Sequence, residues 1–368
     1  MTDPKPIDIQ HSSRALELAR LGVGLVSPNP LVGCVIVSED GEVVGEGTYI
    51  NDDVTHAEII ALKNAGTKAT GGTAYVSLEP HDHHGKTPPC TEALINAGIK
   101  RVVCPIEDPN PLVSGKGFQH LQEAGIEVSV GLLAEEATRL NEKFICWHKK
   151  GRPSVHLKLA MSLDGRISLK NSVSTALSGD AARKRVQELR HEHDGILVGS
   201  NTAVTDNPSL TDRSGLPRRR PLVRIVLDNR LRLPSDSILA TTTDESPTIV
   251  FTNCIDPDSV ARLTDIGVDV IRIEGGARNI AGVMDELKKH EIQSVLIEGG
   301  TEVAGAAIEA GVVDKVTFIV SPIIIGGYDA PVAIGGKGAD TLAEAHRLKN
   351  IEITRLGEDI EITGYPEA

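Results

Sequence analysis

Two short segments restrict this chain more than anything else in it: His56-Ala57-Glu58, and the run Glu79-Pro80-His81-Asp82-His83-His84-Gly85-Lys86-Thr87-Pro88-Pro89-Cys90. Each falls where a strand pattern hands over to a helix pattern, a usual place for a site in an open α/β sheet. His56 stands at the start of one helix and Cys90 in the first turn of the next. Histidine and cysteine side chains in such positions are zinc-ligand types, and three of them leave a fourth position open.

Zinc of that kind lowers the pKa of a bound water to near neutrality. Glu58, two residues beyond His56, is placed to take the water proton and return it to a departing amine without itself binding metal. A His-x-Glu pair followed by Pro-Cys at the next helix start is how zinc deaminases of nucleobase-like rings are built. One position departs from that pattern. The residue after Pro80, where the motif carries cysteine, is His81. The third ligand is therefore expected from the Pro80–Gly85 loop as His81, with His83 and His84 as alternatives. Pro88-Pro89 sets an abrupt turn into the helix that opens at Cys90.

Around these segments the patterning predicts helices over 11–25, 56–65 and 91–97, strands over 31–37, 43–49, 73–78 and 101–104, and two further elements near 118–124 and 126–130. The alternation implies an α/β layer sandwich with both faces of its sheet covered. A charged amphipathic helix is predicted over 133–149. It ends in Lys149-Lys150-Gly151-Arg152-Pro153, and cations in a last turn followed by Gly and Pro form a stop signal. The domain boundary is placed there, giving domains 1–150 and 151–368. A second alternation follows, with strands over 155–161, 195–198, 222–227, 248–251, 268–273, 294–297 and 315–320, and helices over 180–191, 280–290 and 303–310. The polar stretch 212–220 reads as a loop.

Composition sets outer limits. The 368 residues suit two cores, and aromatics make up only 2%, so both cores must be aliphatic. A net charge of −13 argues against a general nucleic-acid binder. No long apolar run predicts a membrane span, and the N-terminal residues lack signal-peptide character, so a cytoplasmic location is expected. Five scattered cysteines are no disulfide framework.

Taken together, Pro28-Asn29-Pro30-Leu31-Val32-Gly33-Cys34, His56-Ala57-Glu58, Gly85-Lys86-Thr87-Pro88-Pro89-Cys90 and Asp108-Pro109-Asn110-Pro111 resemble the deaminase half of the bifunctional riboflavin-biosynthesis deaminase–reductases. The second half continues the resemblance through Leu157-Lys158-Leu159-Ala160-Met161-Ser162-Leu163-Asp164-Gly165-Arg166, Gly199–Thr202 and Asp206–Arg213. Ser294–Val303 adds a buried strand, a double glycine and a helix start, a form suited to phosphate. The resemblance implies a cytidine-deaminase-like α/β/α layer sandwich followed by a dihydrofolate-reductase-like α/β domain. It implies zinc-hydroxide deamination of 2,5-diamino-6-ribosylamino-4(3H)-pyrimidinone 5′-phosphate, then NADPH reduction of the ribosyl group of 5-amino-6-(5-phosphoribosylamino)uracil to ribityl.

The same resemblance assigns residues. Glu58 would be the proton shuttle, and His56, His81 and Cys90 would hold one zinc, positions 81 and 90 being those of the family's two cysteine ligands. Asn29, Lys158, Ser174, Arg190, Leu210, Arg213 and Glu298 would bind substrate. Ala160, Ala176, Thr202, Asp206, Gly300, Thr301, Glu302, Val303, Ala304, Gly305 and Ala306 would bind NADPH. Ala176 stands where the family often has an aromatic, and either Arg230 or Arg232 could read the cofactor's 2′-phosphate. A homo-oligomer acting on a small-molecule substrate, with no nucleic-acid or membrane partner, is expected. Two rivals remain: a reductase carrying a degenerate deaminase domain, and a zinc-dependent editor of nucleic-acid bases.

Overall fold

A computed structural model describes residues 5–50, 55–83, 88–111, 113–169 and 176–367. The chain forms two compact units, residues 1–151 and 152–368. Unit 1 is built on a five-stranded sheet in the order β2-β1-β3-β4-β5, with β1 Gly33–Val37, β2 Val43–Thr48, β3 Thr73–Val76, β4 Arg101–Cys104 and β5 Glu127–Val130. β1 runs antiparallel to both neighbours, and β3, β4 and β5 are parallel.

β1 is buried along its whole length and serves both faces. Val35 and Val37 pack with Ala15 and Leu18 of helix α1 (Pro6–Arg20). Cys34 and Ile36 pack with Ala57, Ala61 and Leu94, from α2 (Ala57–Ala65) and α3 (Cys90–Asn96). Two glycines let α2 lie directly on the sheet. A Cβ at Gly45 would stand 2.1 Å from the Ala61 carbonyl oxygen, and one at Gly47 2.1 Å from that of Ala57. This close approach seats the first turn of α2, with Glu58, hard against the sheet.

Two helices differ from the sequence expectation. α1 begins five residues before the expected 11 and ends at Arg20, with Pro6 in its first turn, where a missing N–H costs nothing. Its start is polar and still buried: Asp8 accepts from the Tyr75 hydroxyl at 2.7 Å and from Arg101 at 2.8 Å, a pairing that apolar periodicity does not reveal. The single helix expected over 133–149 is broken into α5 (Ala134–Leu140) and α6 (Glu142–Lys150). Asn141 interrupts it because its side chain pairs with the Leu31 backbone, accepting from N at 2.8 Å and donating to O at 3.0 Å. Helix α4 (Lys116–Glu123) follows β4 and completes the elements that approach the metal-ligand candidates.

Unit 2 carries a nine-stranded sheet in the order β10-β9-β8-β7-β11-β6-β12-β14-β13. Its strands are β6 Ser154–Ser162, β7 Gly195–Gly199, β8 Val223–Leu227, β9 Thr248–Thr252, β10 Asp269–Arg272, β11 Ser294–Ile297, β12 Lys315–Ser321, β13 Leu348–Leu356 and β14 Asp359–Pro366. All run parallel except the terminal hairpin, β14 being antiparallel to both β12 and β13. On one face Val155, Leu157 and Val295 pack against α11 (Ile280–Lys289) and α12 (Thr301–Glu309). On the other, Ile196, Val198 and Val226 pack with Ala203 of α8 (Ser200–Asp206), while Ile319 meets Ala182 and Val186 of α7 (Asp180–Glu192).

The β13–β14 hairpin is absent from the sequence expectation, which ends its alternation at 320. The cause is exposure: the middle of β13 lies open to solvent, so its residues carry no buried apolar signal. The short helices α8, α9 (Ile238–Thr241) and α10 (Pro257–Thr264) were likewise not expected. Among the described residues no helix is long and apolar enough to cross a membrane.

Candidate active sites

His56 is the N-cap residue of α2 and Cys90 the first residue of α3, so both project from helix starts. His81 lies on the loop between β3 and α3. One ligand atom from each of His56, His81 and Cys90 lies within 4.8 Å of the others. The His56 and His81 ring centroids are 4.3 Å apart. Among the described residues His83 does not join this cluster, although its ring lies 5.2 Å from that of His81. His84 and residues 85–87 of the motif lie outside the described residues.

The donor set fits zinc. Nδ1 of His81 and Oε2 of Glu58 are both buried with no hydrogen-bond partner, and a cation with its water supplies what each lacks. Burial, then the neighbouring His56 and His83, hold His81 down to about 4, so the imidazole is neutral, as a ligand must be. Burial and then Glu58 push the Cys90 thiol well up. A divalent cation reverses that balance, because a coordinating thiol is deprotonated outright.

Polar side chains around the cluster hold the loop. Glu79 is buried and accepts three backbone N–H groups, from Asp108 at 3.0 Å and from Gly115 and Gly117 at 2.9 Å each. Asp82 Oδ1 accepts from the Thr91 hydroxyl and from His120 Nδ1, both at 2.5 Å, tying α3 to α4. Asn29 Nδ2 donates to the Tyr49 hydroxyl at 2.9 Å, and the Tyr49 ring lies 5.4 Å from that of His56. Asn29 is thereby brought beside the metal-ligand cluster.

Asp108 gives a testable consequence. Burial raises its carboxyl to about 6, Asn110 N–H partly opposing this and Glu79 adding to it. A raised carboxyl holds its proton more tightly folded than unfolded, so stability should fall as pH rises from about 4 to about 6. Asp108→Asn is expected to remove that slope and to stabilise the protein at pH 7 by roughly 2 kcal/mol. Urea unfolding at pH 5 and 7 measures it, and an unchanged slope in the variant would assign the effect to another group.

In unit 2, Glu298 at the end of β11 lies between two buried cations. Arg190 of α7 donates to it through Nε at 2.8 Å and Nη2 at 3.2 Å, and Lys158 Nζ of β6 is 3.5 Å away. Burial raises the Glu298 carboxyl, but the charges of Lys158 and then Arg190 overcome this and hold it at about 2. Arg190 also donates to the Thr211 carbonyl at 3.1 Å, and Asp212 accepts from His191 at 2.9 Å and from Arg218 at 3.3 Å. These bonds fasten the 209–214 loop to α7. Within that loop Leu210 is buried in the core at a φ of 49°, and Arg213 is exposed.

Gly300 precedes α12, and the space beside it is open: a Cβ there would meet only Thr202 Oγ1, at 3.8 Å. The turn before α12 and the first turn of α8 thus lie side by side. Arg232 Nη2 donates to Ser200 Oγ at 2.6 Å and Asn201 Oδ1 at 2.7 Å, next to Thr202.

Residues 6–106 match the cytidine and deoxycytidylate deaminase zinc-binding region, and residues 153–362 match the RibD C-terminal domain. The riboflavin biosynthesis protein RibD of Bacillus amyloliquefaciens is 42% identical over 97% of this chain and 96% of its own length. The chain belongs to the RibD family.

Solved RibD structures agree over nearly the whole length. Acinetobacter baumannii RibD superposes with a TM-score of 0.87 at 36% identity, covering 98% of this chain and 99% of that one. A diaminohydroxyphosphoribosylaminopyrimidine deaminase/5-amino-6-(5-phosphoribosylamino)uracil reductase from Thermotoga maritima gives 0.85 at 33% identity, covering 98% and 99%. The chain is a bifunctional enzyme of riboflavin biosynthesis, a hydrolytic deaminase joined to a reductase, with zinc and NADPH as cofactors. A reductase with a degenerate deaminase domain is not favoured.

The other expected residues differ in their exposure. Ala160 is half-buried on β6, Asp206 ends α8 exposed, and Ala176 is exposed. Ala304 is part of the core, and Gly305 packs so closely that its Cβ would stand 2.4 Å from the Gly335 carbonyl. Thr301, Glu302, Val303 and Ala306 complete the first turns of α12. Ser174 lies outside the described residues. Tyr49, Thr91 and His120 were missed, since each sits in an ordinary local pattern and acquires a role only through its contacts in the folded chain.

Proposed function

We propose that residues 1–150 deaminate 2,5-diamino-6-ribosylamino-4(3H)-pyrimidinone 5′-phosphate and that residues 151–368 reduce the ribosyl group of 5-amino-6-(5-phosphoribosylamino)uracil. The observation that carries the first step is the convergence of His56, His81 and Cys90 beside the buried Glu58. These three residues hold zinc, which when bound supplies an acidified water at neutral pH. Glu58 takes the proton and returns it to the departing ammonia. Its free, buried Oε2 supports that role. Asn29, held by Tyr49, orients the pyrimidine.

In the reductase, NADPH supplies the hydride. Gly300 to Ala306, with Ala160, Ala176, Thr202 and Asp206, line its site, and Arg232 is the better placed cation for the 2′-phosphate because it already reaches the turn before Thr202. Lys158, Arg190 and Glu298 carry one positive charge in excess, which suits a phosphorylated sugar. Leu210 and Arg213, on the loop fastened to α7, complete that subsite. The reading includes a cytoplasmic homo-oligomer, and the absence of a disulfide among the described residues fits a reducing compartment.

The test is His81→Ala, with zinc content and both half-reactions measured. Loss of zinc and of deamination with reduction intact is expected. Full zinc occupancy in the variant overturns the ligand assignment.

A further inference from the structure

We propose that His81 binds its metal through Nδ1, so that the ring carries its proton on Nε2. The inference rests on His81 being a zinc ligand and goes beyond it to the atom and to the side chains that enforce the choice.

The first argument is reach. The family resemblance puts a cysteine ligand at position 81. A cysteine sulfur is two bonds from Cα, histidine Nδ1 is three and Nε2 is four. The near nitrogen replaces the sulfur with the smallest retreat of the backbone.

The second argument is that the backbone has little freedom to retreat. The His81 carbonyl accepts from the N–H of Cys90 at 3.1 Å, which ties it to the residue carrying another ligand. The next residue, Asp82, is clamped by Thr91 and His120 at 2.5 Å each. Thr91 is fully buried in α3, so this clamp is anchored in the core. Asp82, Thr91 and His120 are thus positioning residues for His81.

The third argument is hydrogen bonding. Histidines that bind metal through one nitrogen normally donate the other N–H to a carboxylate, carbonyl or water. If Nε2 were the ligand atom, Nδ1–H would be a buried donor with no acceptor, at a cost of about 1–3 kcal/mol. Nδ1 of His81 is buried and has no such partner. Ligation through Nδ1 removes the deficit, since the metal then occupies its lone pair.

The experiment is a long-range proton–nitrogen correlation spectrum of the full-length, zinc-loaded protein with 15N-labelled histidine. The His81 signals are identified as those missing from His81→Cys, which retains a ligand at that position. The expected pattern is a protonated Nε2 and a metal-bound Nδ1. A protonated Nδ1 with a bound Nε2 overturns the proposal and leaves the ligand assignment standing. His81 signals that do not change when zinc is removed overturn both. Zinc competition against a chelator tests the clamp. Asp82→Ala should weaken zinc binding roughly 10–100-fold, the size usual for outer partners of a metal ligand. Reductase activity should stay unchanged, as a check on folding. Asp82→Asn, which can still accept from Thr91, should recover most of the loss. Unaltered zinc affinity in Asp82→Ala overturns the positioning role.

Discussion

Glu58→Gln is expected to lower deamination by about 10²–10⁴-fold while zinc stays bound and reduction is untouched. Glu58 sits in the first turn of α2, 2% exposed, two residues from His56, where the close seating of α2 on Gly45 and Gly47 fixes it. The amide preserves that shape and cannot carry a proton. Because one group serves several transfers, the effect should lie toward the upper end of the range. The measurement is the pair of half-reactions, with zinc content determined on the same preparation. Near-normal deamination would move the shuttle to another side chain, and lost zinc would mean that Glu58 stabilises the metal rather than the proton.

The second large effect is expected from Glu298→Ala. It leaves Lys158 and Arg190 buried without their carboxylate, and breaking a buried ion pair from one side costs about 3–5 kcal/mol. The pH dependence has a definite sign. The Glu298 carboxyl is depressed to about 2, so its stabilisation is complete above the ordinary carboxylate range of about 4.3 and is lost as pH falls toward about 2. The variant should lack that acid-side loss. Denaturant unfolding of the full chain, followed from pH 5 down to pH 2, compares the two proteins. Equal stability at pH 7 would show that the remaining cations find other partners.

Much of both units was legible beforehand, because a strand buried on both faces and a one-sided helix each leave a mark in local hydrophobic order. β4 and β11 stand where the pattern put them. Elements held by polar contacts left no such mark. The start of α1 depends on Asp8 meeting Tyr75 and Arg101, which are 67 and 93 residues away. The break between α5 and α6 depends on Asn141 meeting Leu31, 110 residues away. β13 gave no signal because its side chains face solvent.

The sequence by itself determined the chemistry available to the deaminase site: a His-x-Glu pair, a Pro-Cys helix start, and a loop with histidine where cysteine was expected. Those are covalent facts at short spacing, and short spacing is what a motif records. Only the tertiary structure brought His81, and among the described residues not His83, into one cluster with His56 and Cys90, because a motif does not record where successive loop side chains lie in space. It alone assembled Lys158, Arg190 and Glu298, whose carboxylate is separated from its cations by 140 and 108 residues. Charges that far apart in the chain find one another only when adjacent strands and the helix on them are packed, and no local pattern encodes that meeting.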